Sequence, residues 1–266
     1  MSDRARSATI DKLRERLACL EPRRTLASGG QRSIQPWRDL VQGALHEITN
    51  NDWRDATAAS FYALTLAGHL AQARLGSVIV LGLKYDTGEG GLYYAADRNF
   101  CGIDTSRLVL CYAENIKALL WAAEEAAHSS SVAALVIETR KPHRLLSLAA
   151  TRRLQLAAEK SGSTPILLRS SKGCEPSAAM RRFHVSSRPS APASYNASAP
   201  GRFCWRVEIE RCRLGNNGGW LVEWDDEKKE LKEAPALSVS VPAALAYRPA
   251  HRREAFSGPF KTACSL

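Results

Sequence analysis

From residue 43 onward, short continuous apolar runs alternate with longer stretches whose apolar residues recur at helical spacing. Residues 43–48, Gly43-Ala44-Leu45-His46-Glu47-Ile48, predict a first strand, and the alanine-rich residues 58–73 predict a helix. Further strands are predicted at 78–81, 108–110, 134–137 and 165–168, with helices at 114–128 and 148–161. Gly162 follows the last of these helices, where a left-handed residue commonly ends a helix. Strands that are apolar on both faces, separated by amphipathic helices, form a mostly parallel sheet covered by helices on both sides.

The pattern then changes. Residues 186–201 are rich in Ser, Pro and Ala and read as a loop or linker. Beyond them Trp205, Val207 and Ile209 alternate with Arg206, Glu208 and Glu210, the period of a strand with one buried face. Asn216-Asn217-Gly218-Gly219 is a hairpin turn signal, and residues 220–224 read as the returning strand. The α/β core is therefore expected to carry a C-terminal antiparallel hairpin. Near the other end, Ile10, Leu13, Leu17 and Leu20 mark an amphipathic helix over residues 9–21, which packs on the core or on another protein. Residues 22–36 lack periodicity. The organisation expected is an N-terminal helix and linker at 1–36, a core domain at 37–233 and a flexible tail at 234–266.

At 266 residues and 45% hydrophobic content, the chain can bury a sizeable core. Its net charge of +10 favours an acidic partner, most simply nucleic acid, although a merely soluble basic protein would give the same sum. No apolar run follows Met1-Ser2-Asp3-Arg4, and the longest apolar stretch, residues 78–83, is too short to span a bilayer. A cytoplasmic location without membrane contact is expected. The seven cysteines include no C-x-x-C pair and fit no zinc spacing, so reduced thiols are expected.

The junction after the first strand is where a nucleotide-binding α/β protein keeps G-x-x-x-x-G-K-[ST]. Glycines there turn backbone N–H groups toward the phosphates, lysine neutralises them, and the hydroxyl holds magnesium. Residues 49–57 are Thr49, Asn50, Asn51, Asp52, Trp53, Arg54, Asp55, Ala56 and Thr57, with neither glycine nor lysine. Asp52 and Asp55 would repel a polyphosphate. No cofactor is expected, and the junction is left a packing role. Glu138 ends an apolar strand, a ligand-bearing position in open α/β sheets. Without a phosphate loop it reads as a strand-end carboxylate in solvent or paired with Arg140. Gly88-Glu89-Gly90-Gly91 lacks dinucleotide-loop spacing and reads as a turn. His46 reads as a packing or capping group. No catalytic or metal-binding residue is expected.

Basic residues follow the predicted strands: Arg140, Lys141 and Arg144, then Arg169 and Lys172, then Arg181, Arg182 and Arg188. Loops after parallel strands emerge on one sheet edge. Arg140, Lys141, Arg144, Arg169, Lys172, Arg181 and Arg182 are therefore the candidate DNA- or partner-binding edge, and scattered solvated charge is the alternative. Residues 223–233 are net acidic, which makes the hairpin end a poor DNA contact.

Several segments carry a resemblance by their order along residues 40–230. They are the first strand and its alanine-rich helix, then Gly102-Ile103-Asp104-Thr105-Ser106-Arg107-Leu108 and Trp121-Ala122-Ala123-Glu124-Glu125-Ala126. More specific are Arg152-Arg153-Leu154-Gln155-Leu156-Ala157-Ala158-Glu159-Lys160-Ser161-Gly162 and Trp205-Arg206-Val207-Glu208-Ile209-Glu210-Arg211-Cys212-Arg213, closed by Trp220-Leu221-Val222-Glu223-Trp224-Asp225-Asp226. The element order resembles the RecA core, and these segments resemble the ImuA family of RecA-related SOS mutagenesis proteins. The resemblance implies a RecA-like, P-loop-NTPase-type sheet and a non-catalytic accessory role in SOS-induced mutagenic translesion DNA synthesis and DNA damage tolerance. It implies an inactive Y-family polymerase relative and an error-prone C-family DNA polymerase as partners, with RecA and DNA as further candidates. A gapless overlay on RecA puts Lys84 at the catalytic glutamate, Asp55-Ala56-Thr57 at Gly-Lys-Thr, and Glu138-Thr139 at the Asp-Ser of the magnesium strand. The segments at 139–147 and 170–177, which would be DNA-binding loops, are short. The alternatives are a RecA-type ATPase with residual nucleotide binding and an SOS cell-division inhibitor. The N-terminal helix and C-terminal tail are the expected partner segments.

Overall fold

The computed structural model describes residues 35, 37, 38, 40–86, 93, 98–170, 176–191, 196, 199, 201–213 and 218–234. The expected helix at 9–21, the linker at 22–36 apart from Gln35, and the turn at 88–91 lie outside them. So do Lys172, Asn216, Asn217 and the tail beyond Ala234. The chain divides between Leu40 and Val41. In the first unit Arg38 N donates to Gln35 O across a turn (2.8 Å).

The second unit is built on one sheet. Its parallel strands are β1 (His46–Asn50), β2 (Ser77–Leu83), β5 (Leu108–Ala113), β6 (Val132–Thr139), β7 (Thr164–Ser170) and β8 (Arg181–Arg188). Antiparallel β9 (Cys204–Cys212), β10 (Gly219–Asp225) and β11 (Glu230–Glu233) extend it beyond β8. Among the described residues the order is β11-β10-β9-β8-β1-β7-β6-β2-β5. The arrangement is a mostly parallel sheet flanked by helices, ending in antiparallel strands. A small ribbon, β3 (Asn99–Phe100) and β4 (Ile103–Asp104), stands apart from it.

Strand alternation sorts the core onto two faces. Leu45, Leu81, Leu135, Ile137 and Leu167 point to one face, under α2 (Ile116–His128) and α3 (Leu148–Ser161). The other face carries Ile48, Val136, Ile166 and Phe183, all buried, and is covered by α1 (Ala56–Ala73). Trp205, Val207, Ile209, Val222 and Trp224 continue that second face into the antiparallel strands, so Phe61 and Tyr62 of α1 pack on Trp205. The helix ends follow local chemistry. The Asn115 side chain accepts from Ala118 N (2.9 Å), and Gly162 closes α3 at φ 78° with its N–H on Ala158 O (2.8 Å).

Most element ends differ from the sequence reading by a few residues, and three differences bear on the sheet. β1 begins at His46 rather than Gly43, whose φ of 66° bends the chain into the strand. Residues 181–188, read in part as a basic loop, form β8. β11 adds a strand that the hairpin signal did not include. Among the described residues no helix is long and apolar enough to cross a membrane.

Candidate functional site

Between β1 and α1 the chain makes a short 3-10 turn, Trp53–Asp55, in place of a phosphate-binding loop. Its polar groups bond to one another and to β8. Asn50 Nδ2 donates to Asp52 O (2.7 Å), and Arg54 N donates to Asp52 Oδ1 (2.9 Å). Asp55 sits at the N-cap of α1 but gives its helix no side-chain bond. Instead its Oδ1 accepts from Ser187 N (2.8 Å) and Ser187 Oγ (2.5 Å) at the end of β8. Beside this turn, at the carboxyl ends of β1, β6 and β7, lies a cavity of about 290 Å³ lined by Asn51, Ser60, Glu138, Arg140, Lys141 and Ser170, among others.

Glu138 was expected in solvent or paired with Arg140. Instead its carboxylate accepts a hydrogen bond from Tyr93 Oη. Burial, reinforced by the Glu138 charge, pushes the Tyr93 phenol far above its usual range, so Tyr93 stays a donor. Lys84, at the position of a catalytic glutamate in the overlay, pairs with Glu114 (2.9 Å) on the surface. His46 is buried and donates from Nε2 to Val41 O (2.9 Å), as a packing residue would. Burial lowers its pKa to about 4, so it is neutral at pH 7. Among the described residues no group of three or more His, Cys, Asp or Glu could hold a metal ion.

The six candidate basic residues that are described do not form one surface. Arg140, Lys141 and Arg144 lie together on the segment after β6, at the carboxyl edge; Lys141 and Arg144 are exposed. Arg169 is 5% exposed and ion-paired to Glu47. Arg182 binds the other oxygen of Glu47 (Nε–Oε2, 2.7 Å), and Ser177 Oγ adds a further bond to that oxygen (2.7 Å). Arg181 is buried at the start of β8, beside His46 at the amino edge of the sheet, away from Arg140. The correction has a physical cause. Glu47 is fully buried in β1, and a buried carboxylate is stable only with charged donors, here drawn from the strands on either side. A carboxylate within an apolar strand was the sequence signal for that pairing.

Sequence reasoning missed a second cavity, of about 330 Å³, on the other side of α1's first turns. Thr57, Phe61, Arg188, Arg202, Phe203 and Trp205 contribute to its lining. Its one linear signal is the aromatic pair Phe203-Cys204-Trp205 at the start of a strand.

No family model matches the chain. Curated proteins do: Protein ImuA from two strains of Caulobacter vibrioides (NA1000 / CB15N and ATCC 19089 / CIP 103742 / CB 15). Each is 32% identical over 212 residues, covering 74% of this chain and 82% of the relative. Among solved structures, the crystal structure of the RadB recombinase aligns with a TM-score of 0.48 at 13% identity, over 73% of this chain and 92% of that one.

Proposed function

The chain belongs to the ImuA family, and from that premise we propose that it is a non-catalytic accessory factor in SOS-induced mutagenic translesion DNA synthesis. Its DNA-damage role is supported by the family and by the RecA-like sheet. In this role it brings an inactive Y-family polymerase relative and an error-prone C-family polymerase to damaged DNA. The single observation supporting a scaffold over an ATPase is the β1–α1 junction. There Asp52 and Asp55 stand in the segment where a phosphate site needs glycine and lysine, and their carboxylates accept from Arg54 N and Ser187. Arg140, Lys141 and Arg144 at the carboxyl edge supply a phosphate-facing contact for DNA, with the salt dependence that such contacts carry.

The test is pull-down of the full chain from DNA-damaged cells. Recovery of both polymerase partners is the expected result; recovery of the tubulin-like division protein alone would point to a cell-division inhibitor. A second reading, residual nucleotide binding, draws support from the 290 Å³ cavity with Arg140 and Lys141 on its wall. Calorimetry with ATP and magnesium decides it: micromolar affinity or measurable turnover would replace the scaffold reading.

A further inference from the structure

The second cavity is an aromatic one. Phe61, Phe203 and Trp205 pack as a group. The Phe61–Phe203 centroids are 4.7 Å apart, and Trp205 is near-parallel to Phe61 (24°) and to Phe203 (20°). Trp205 is buried and closes the inner end, whereas Phe203 is 56% exposed and leaves the outer end open. A ring group that ends on an open face has room for one more planar group.

The charged side chains on its lining, Arg188 and Arg202, are both cationic. Arg188 lines the cavity and makes no ion pair among the described residues. The nearby carboxylates are already engaged. Asp55 is bonded by Ser187, while Glu223 and Asp225 are held by Arg202 (3.5 and 3.1 Å) and Lys232 (3.0 and 3.3 Å). The hydroxyls of Thr57 and Ser190, also on the lining, can donate or accept, so they tolerate different hydrogen-bonding edges. A volume of about 330 Å³ is that of a small-ligand site.

We infer that this cavity is a stacking site for an unpaired base of single-stranded nucleic acid, with Phe203 as the platform and Arg188 as the phosphate contact. Aromatic platforms beside a cation bind single strands with little sequence preference, because every base has a π-face. An apolar peptide would use the rings but would leave Arg188 unmatched. The site opens at the same edge of the sheet as Arg140 and Lys141. β8 and β6 are three strand spacings apart, about 15 Å, so one strand lying along the edge can reach both. The inference goes beyond the accessory role and does not depend on which polymerases bind.

The experiment is fluorescence anisotropy of the full chain with two labelled oligonucleotides of equal length, one of thymidines and one abasic. The expected result is about tenfold tighter binding of the base-bearing strand. Phe203→Ala abolishes that preference and Phe203→Trp retains it. Arg188→Ala weakens both strands and lowers the salt slope by about one. Arg140→Ala with Lys141→Ala weakens both strands equally and leaves the preference intact. Equal binding of the two strands by the natural sequence, or a preference that survives Phe203→Ala, overturns the inference. Polymerase recovery is read in the same variants. If Phe203→Ala loses polymerase recovery while its binding to thymidine strands is unchanged, the cavity is a protein-docking site and the inference fails. If base preference is present and no polymerase is recovered, the accessory reading fails and the base site stands.

Discussion

Glu47 is the residue on which three strands depend. Its carboxylate is fully buried in β1 and shared by Arg169 of β7 and Arg182 of β8. Removing it leaves two guanidinium groups without their counter-charge, so Glu47→Ala is expected to cost about 3–5 kcal/mol. The measurement is the urea midpoint, and an unchanged midpoint would show that solvent already screens the cluster. His46 supplies a pH dependence. Burial lowers its pKa from the ordinary value near 6.5 to about 4. Between those values the unfolded chain binds the proton and the folded chain does not. Stability from this group is therefore complete above pH 6.5 and is lost as pH falls toward 4, by an amount on the order of 3 kcal/mol. Unfolding of His46→Gln, compared with the natural sequence at pH 7 and 4.5, should show the smaller loss in the variant.

The elements differ in how far the sequence announces them. β2, β6 and β7 are continuous apolar runs, and α3 is bounded by Ser147 and Gly162, so they were legible. β8 was not, because Arg181-Arg182 reads as loop charge until Glu47 is known to lie beside it. β11 has no strong period of its own and exists through its pairing with β10. The candidate edge was legible only at Arg140, Lys141 and Arg144, which are sequence neighbours. The aromatic cavity joins three segments that only the fold brings together. α1 carries a constraint of its own. A Cβ on Gly68 would stand 2.1 Å from the Cys101 carbonyl oxygen, and that carbonyl belongs to a residue at φ 54°. Alanine in a helix normally gains about 1 kcal/mol over glycine. Here the backbone clash outweighs it, and Gly68→Ala is expected to cost about 1–3 kcal/mol, lowering Tm in a thermal melt.

For the molecule as a whole, the proposed role predicts that ATP with magnesium leaves the melting temperature unchanged. A ligand bound at a hundred times its Kd would add about 2.7 kcal/mol, a shift easily read by scanning calorimetry. It also predicts where partners attach. A core of residues 37–233 should fold yet lose polymerase recovery, because residues 1–36 and 234–266 hold the expected partner segments; full recovery by that core would move the contact onto the sheet or its helices.

The bond between Asp55 and Ser187 has a further consequence under that role. In a nucleotide-driven switch the turn ahead of α1 must shift as its ligand is cleaved and released. Here that turn is tied to the end of β8 by two hydrogen bonds from one serine, which leaves little slack for such a stroke. In the proposed role the protein would have no clock of its own. Its influence is set by how many copies the cell holds, so the mutagenic response should scale with its expression level and fall as the protein is degraded.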